Sequence, residues 1–477
     1  MKRRAFAKAG LTMGMGSVFL PPGTIPFSQA SFKKSDFGKD FKWGVASASY
    51  QIEGAWNLDG KGPSIWDTFT HKKGKIKNND NGDMACDFYH RYPEDIERIK
   101  SMNFDVNRFS ISWSRIFPEG VGTPNQAGID FYHKVIDTTL EQGLEPWITC
   151  FHWDLPQALE DKGGWANRDI LSAFKEYVRF LALEYGDKVK HWMVMNEPAS
   201  FTALGYLAGM HAPGKINPTA FKKAAHHAAL CQAEGGRILK ELVPNGSIGT
   251  TVSMSAVHPK SNSKRHIKAA ARMDALLNRL FLDPILGKGY PVDAWPFLKG
   301  IEKFMLPGDL EKLSFDFDFI GLQNYFRVVA KADIFPPILW ANRVSPKKLA
   351  QSPDDLTDMG WEVYPEGMYE LLMRLKNEPK IKNILVTENG AAFTDELQND
   401  HVRDPKRIRF FKSYLEQVLR AKKEGAPVNG YFVWTLMDNF EWAEGYHPRF
   451  GIVYVDFETQ KRTIKDSGLW FREFLSQ

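Results

Sequence analysis

Short apolar runs alternate with longer amphipathic stretches along this chain, and the alternation recurs about eight times. The runs that read as strands are 41–47, 104–110, 146–153, 191–197, 247–253, 317–325, 384–388 and 428–436. Between them, apolar residues recur at helical spacing over 92–102, 129–142, 170–185, 219–242, 365–377 and 407–423. Strands apolar on both faces, each followed by a helix, predict a parallel sheet covered on both sides. Eight such units favour a closed (β/α)8 TIM barrel over an open doubly wound sheet. No Gly-rich phosphate-binding turn follows the first strand, which weakens a dinucleotide-binding reading. No Pro/Ser-rich linker divides the chain, so residues 31–477 read as one α/β domain with long loops at the C-terminal face of the barrel. The longest irregular stretch, 327–358, follows the sixth strand and is expected over the barrel mouth.

Composition adds boundaries to this picture. Of 477 residues, 43% are hydrophobic and 25% charged, the balance of a soluble globular protein with a large core. A formal charge of +5 comes without a Lys/Arg run beyond the N-terminus, and no nucleic-acid partner is expected. The 14 tryptophans serve equally well as core packing or as flat platforms for sugar rings. Residues 1–30 read as an address: Lys2-Arg3-Arg4 opens a basic segment, a weakly apolar Gly/Met-rich stretch follows, and small residues lead to Ala30. The paired arginines resemble a twin-arginine export signal, and the apolar stretch of about a dozen residues is too short for a permanent anchor. A soluble periplasmic or secreted protein is expected, with no membrane anchor in the mature chain; the other reading is a disordered basic leader. Cys86, Cys150 and Cys231 have neither metal-ligand nor redox spacing and read as buried free thiols.

Chemistry in a barrel of this kind gathers where the strands end at their C-terminal side. Polar and aromatic residues of this chain collect at those ends. Gln51 follows the first strand, Arg108 lies in the second, and His152 and Trp153 close the third. Asn196 and Glu197 close the fourth, Tyr325 the sixth and Glu388 the seventh, while Trp434 lies in the eighth with Glu441 and Trp442 beyond it. Any one of these fits a satisfied core polar group, but their convergence on one rim points to an active site. Two carboxylates at the ends of separate strands, Glu197 and Glu388, are the pair that a glycosidase requires.

The same residues carry a family resemblance. Phe41-Lys42-Trp43-Gly44-Val45-Ala46-Ser47-Ala48-Ser49-Tyr50-Gln51-Ile52-Glu53-Gly54 resembles the N-terminal signature of glycoside hydrolase family 1, the β-glucosidase family. Arg108 to Arg115, His152-Trp153-Asp154-Leu155-Pro156, Asn196-Glu197-Pro198, Thr387-Glu388-Asn389-Gly390 and the stretch from Trp434 to Gly445 continue it in the family's order. The resemblance implies a retaining double displacement, with Glu388 as nucleophile, supported by Arg108 and Tyr325, and Glu197 as acid/base. It places Asn196 on the sugar 2-OH and Gln51, His152, Trp153, Trp434, Glu441 and Trp442 around the non-reducing sugar. A carboxylate at Glu441 is expected to repel a 6-phosphate. Phe450 is expected near the sugar hydroxymethyl group, and Trp361 on the leaving-group side or, as a plain core residue, beneath the long loop.

The substrate implied is a small-molecule β-glycoside, most simply a β-glucoside, with some tolerance for galactosides or fucosides. A transglycosylase using the same intermediate is the alternative. A non-catalytic sugar-binding relative or a thioglycosidase fits less well, because both carboxylates are present. No cofactor and no metal is implied, since His90, His226, His227 and His266 show no ligand spacing. The oligomeric state does not follow from these residues. One departure stands out. Where the family usually shows Gly-Leu-Asn-Tyr-Tyr, this chain has Gly321-Leu322-Gln323-Asn324-Tyr325, which leaves the contact made by Gln323 open.

Overall fold

The computed structural model describes residues 32–477, so the export-signal reading of residues 1–30 lies outside the described residues. Eight parallel strands close a barrel: β1 (Lys42–Ala46), β2 (Val106–Ser110), β3 (Glu145–Thr149), β4 (His191–Asn196), β5 (Ser247–Ser253), β6 (Phe319–Gln323), β7 (Ile384–Asn389) and β8 (Val428–Trp434). Each pairs with its neighbours in chain order, and β1 closes on β8, with Ala46 beside Trp434. β2, β6 and β7 are buried along their whole length, the physical origin of their uninterrupted apolar runs. Helices on the outside are α1 (Phe88–Ser101), α2 (Gln126–Glu141), α3 (Ile170–Tyr185), α4 (Pro218–Leu242), α5 (Lys264–Asp274), α6 (Glu366–Lys376), α7 (Pro405–Lys423) and α8 (Asp466–Leu475). The 25-residue α4 has a sharp start. Pro218 takes the first position, and the Asn217 side chain accepts from the amides of Thr219 and Ala220.

The barrel floor is packed shut by Val106, Trp147, Met193, Phe319, Leu385 and Phe432, one from each of six strands. Gly44 on β1 makes room for them, since a Cβ there would lie 2.7 Å from the Phe432 ring. With the floor filled, the open end of the barrel is the C-terminal one.

The structure revises two readings of the pattern. The third strand stops at Thr149, where its pairing with β4 ends, instead of running to residue 153, and Trp153 beyond it takes a left-handed backbone (φ 81°). The stretch 327–358 is irregular only in part. Val328–Ala332 and Ala341–Arg343 form an antiparallel hairpin, extended on its other edge by Val257–Pro259, and α5 packs on this small sheet. Its strands are short and punctuated by Pro336 and Pro337, so neither periodicity could develop. All three cysteines are buried free thiols.

Behind the loops after β7 and β8 lies a buried charge network. Arg407 bonds both carboxylate oxygens of Asp395 (3.1 and 2.9 Å) and also pairs with Asp404. Lys465 bridges Asp395 (2.6 Å) and Asp438 (2.7 Å), and Arg449 closes on Asp438 at 2.7 Å. Arg407→Met is expected to leave Asp404 without its cation and to cost about 3–5 kcal/mol. Denaturant unfolding checks this; a loss inside the ordinary range of a surface substitution would overturn it.

Candidate active site

The carboxyl of Glu388 projects at the mouth end of β7 and is buried. One oxygen receives Arg108 Nη1 at 2.6 Å and the other the Tyr325 hydroxyl at 2.6 Å. Arg108, wholly buried on β2, also donates to the Thr387 carbonyl (3.0 Å), Thr149 Oγ1 (3.3 Å) and Asn196 Oδ1 (2.7 Å). Burial pushes the Glu388 carboxyl above its ordinary range, and Arg108 and Tyr325 pull it back toward ionisation. Burial and the Glu388 charge raise the Tyr325 hydroxyl well above its usual value, so it remains a donor.

Glu197 follows β4 at a left-handed turn (φ 43°, ψ 63°), from which Pro198 starts the short helix Pro198–Thr202. A non-glycine residue in that conformation is uncommon, and three residues lining this pocket adopt it: Trp153, Glu197 and Trp442. Glu197 receives the Ser200 hydroxyl at 2.8 Å. Burial first, and the facing Glu388 charge second, push its pKa up to about 8. Of the pair, Glu197 therefore holds its proton up to about pH 8, while Arg108 and Tyr325 favour the ionised form of Glu388.

Both carboxyls line one cavity of about 530 Å³. His152, Trp153, Asn196, Tyr325, Trp361, Trp434, Glu441, Trp442 and Phe450 line it too. Tyr325, Trp361 and Phe450 stand with ring centroids 5.7 to 6.1 Å apart and pack on the cluster around Trp434. The Trp361 ring also lies 5.1 Å from Phe326, so it is a wall of the pocket rather than a core residue beneath the loop. Gly390, just after β7, passes so close to β8 that a Cβ there would meet the Trp434 carbonyl at 1.7 Å.

Two expected site residues stand behind the wall. Arg108 is one; Gln51 is the other, its amide nitrogen 3.1 Å from Asn439 Oδ1, 2.9 Å from the Phe440 carbonyl and 3.4 Å from Glu441 Oε2. The Gln51 amide oxygen is buried without a hydrogen-bond partner among the described residues. The expectation of a charged Glu441 also changes. Burial, then the charges of Glu388 and Glu197, raise its pKa to about 8, so Glu441 enters as a neutral group that both donates and accepts.

Gln323 has a definite contact. Its amide donates to Asn196 Oδ1 at 2.7 Å, where Arg108 and Thr251 (2.8 Å) also converge. Three donors on the oxygen turn the Asn196 amide nitrogen the other way, to His152 Nε2 at 3.0 Å. Burial and Arg108 depress the His152 pKa well below its usual value, so the imidazole is neutral and able to accept there. The sequence reading missed Ser200, Thr251 and the pocket lining by Leu204, Met210, Leu276, Leu277 and Phe326. Ser200 had a faint signal, three residues after Glu197 on a helical turn; the leucines, on irregular segments, had none.

A closed (β/α)8 barrel with a carboxyl pair at its C-terminal mouth defines a glycoside hydrolase site. Comparison with known proteins agrees. The model of Glycosyl hydrolase family 1 matches residues 33–477. The 1,4-beta-D-glucan glucohydrolase of Thermotoga neapolitana is 45% identical over 91% of this chain and 97% of its own length. Beta-glucosidase A of Thermotoga maritima is 45% identical over 91% of this chain and 96% of its own length. The solved structure of a Thermotoga maritima β-glucosidase in complex with deoxynojirimycin superposes with a TM-score of 0.87, at 44% identity, covering 92% of this chain and 98% of that one. The chain belongs to glycosyl hydrolase family 1, whose enzymes hydrolyse glycosides with retention of the anomeric configuration.

The charge order of the pair is testable. In Glu388→Gln the negative neighbour of Glu197 is gone, so the Glu197 pKa is expected to fall from about 8 while burial keeps it above the ordinary carboxyl value. Carbon-13 NMR titration of the Glu197 carboxyl reads this directly, and an unchanged or higher value would refute the order.

Proposed function

We propose that the protein is an exo-acting β-glucosidase in which Glu388 is the nucleophile and Glu197 the acid/base. The observation that carries the assignment is the asymmetry of the pair: Arg108 and Tyr325 hold both oxygens of Glu388, while Glu197 faces that charge with its pKa near 8. In the first step Glu388 attacks the anomeric carbon as the bond to the leaving oxygen breaks, and the Glu197 proton passes to that oxygen. With Glu388 esterified the neighbouring charge is gone, so Glu197 becomes more acidic and is left as the base. It then takes a proton from water, whose oxygen attacks the anomeric carbon and releases Glu388.

Asn196 is assigned to the sugar 2-OH, since its amide oxygen is occupied and its nitrogen is the group left to donate. Glu441 and His152 are assigned to the other hydroxyls, with Trp434 beneath the ring and Gln51 holding Glu441 from behind the wall. The names of the relatives support glucose as the glycone and glucose oligomers derived from cellulose among the substrates. We further propose that residues 1–30 export the enzyme to the periplasm or beyond.

Glu388→Ala is expected to lower kcat on aryl β-glucosides roughly 10⁴-fold or more with retained folding. Glu197→Ala should keep the first step on good leaving groups, slow deglycosylation by about 10²–10⁴-fold and be rescued by azide as a β-glucosyl azide. A panel of aryl β-glycosides, with the anomer of the first product followed by NMR, tests glycone, hydrolysis and retention together. Near-normal activity of Glu388→Ala would remove the assignment. For export, replacing Arg3 and Arg4 by Lys should strand the enzyme in the cytosol, as read by cell fractionation; unaltered export would refute the twin-arginine route.

A further inference from the structure

The hairpin made by Val328–Ala332 and Ala341–Arg343 ends in a tip that is apolar and open to solvent. Ile334 is 74% exposed, Phe335 65% and Trp340 61%, and Pro336 and Pro337 between them are exposed as well. Four consecutive exposed apolar residues and a tryptophan are not what a surface turn requires. Nor is the tip a loose end. Arg272 on α5 donates to the carbonyls of Leu339 (2.6 Å) and Trp340 (2.7 Å), and Trp295 Nε1 holds the Ile338 carbonyl at 3.0 Å. Trp340 is kept outward in a left-handed backbone (φ 46°), which a bulky residue rarely adopts unless its neighbours impose it.

The ground around the tip is strongly cationic. Segments 257–274 and 328–348, which build the small sheet and α5, contain nine Lys or Arg against two Asp. Both acids are already taken, Asp333 by Lys331 (3.1 Å) and Asp274 by Arg374 (3.2 Å). Arg265, Lys268 and Arg272 follow the i, i+3, i+7 spacing of one helix face, the face that reaches the tip through Arg272. Arg265 and Lys268 are exposed, and neither has an ion-pair partner among the described residues.

We propose that this hairpin and α5 form a docking surface for an anionic phospholipid bilayer, with Phe335 and Trp340 entering the interface and the surrounding cations meeting the lipid head groups. A second copy of the chain fits poorly, because a two-fold contact would set this cationic ground against itself. A purely polar polyanion would match the charge but leave the apolar tip without a medium. Among the described residues no helix is long and apolar enough to cross a membrane, so the association is peripheral.

Vesicle co-sedimentation of the intact enzyme tests this, with phosphatidylglycerol-containing vesicles against pure phosphatidylcholine. Binding is expected only to the anionic vesicles, and to fall sharply at about 0.5 M salt. The double variant Phe335→Ser/Trp340→Ser and, separately, Arg265→Gln/Lys268→Gln should each weaken it by about fivefold or more. Hydrolysis of a soluble aryl β-glucoside should be unchanged in both, because these residues lie outside the pocket lining. Wild-type protein that ignores anionic vesicles, or a serine variant that binds them like wild type, would overturn the proposal. So would a dimer in analytical ultracentrifugation that the serine variant dissociates, since a second copy would then be the occupant.

Discussion

One guanidinium organises the centre of this molecule. Arg108 enters from β2 and reaches Thr149 on β3, Asn196 on β4 and Glu388 on β7, so three further strands share one cation. Buried charge is costly unless paired, and beside the exposed Glu444 the pocket wall carries three carboxyls that shift one another's protonation: Glu197, Glu388 and Glu441. Among them, Arg108 bonds Glu388 directly. The division of labour follows: the cation favours the ionised form of Glu388, while Glu197 and Glu441 keep their protons up to about pH 8. Had the cation been placed beside Glu197, the same two glutamates would have exchanged parts.

Around this centre the fold supplies rigidity in two layers. The packed floor prevents the strands from sliding, and the Arg407–Lys465–Asp438 network pins the loops that follow β7 and β8, on which Glu441, Trp442 and Phe450 stand. The strained turns at Trp153, Glu197 and Trp442 then set side chains at angles that regular strand ends would not give. Preorganisation of this kind spends folding energy on the free enzyme so that little rearrangement is left for the reaction itself.

Much of the barrel was legible in the sequence because parallel strands covered on both faces leave uninterrupted apolar runs, and because Asn196-Glu197 and Thr387-Glu388 fall at their ends. The strand ends themselves were less legible. β3 ended at Thr149, four residues before the apolar run did, because its pairing with β4 stops there, which composition does not encode. The hairpin after β6 was hidden by its brevity and its prolines, and the role of Gln323 by the fact that its partner, Asn196, is 127 residues away in the chain. The charge state of Glu441 was misjudged for a related reason: it depends on burial and on two distant carboxyls, neither of which a local motif contains.

The close passage of Gly390 beneath Trp434 divides the pocket into parts with different freedom to change. Because the backbone beside Glu388 runs against the Trp434 carbonyl, neither can move without the other, and no side chain can be inserted between them. That side of the pocket is therefore inherited as a block. On the opposite side the lining comes in two pairs: Met210 donates its amide to the Leu204 carbonyl at 2.9 Å, and Leu277 and Phe326 pack on one small apolar cluster. Side chains there can change without disturbing the Gly390–Trp434 approach, whereas any change between those two would require both strands to shift together.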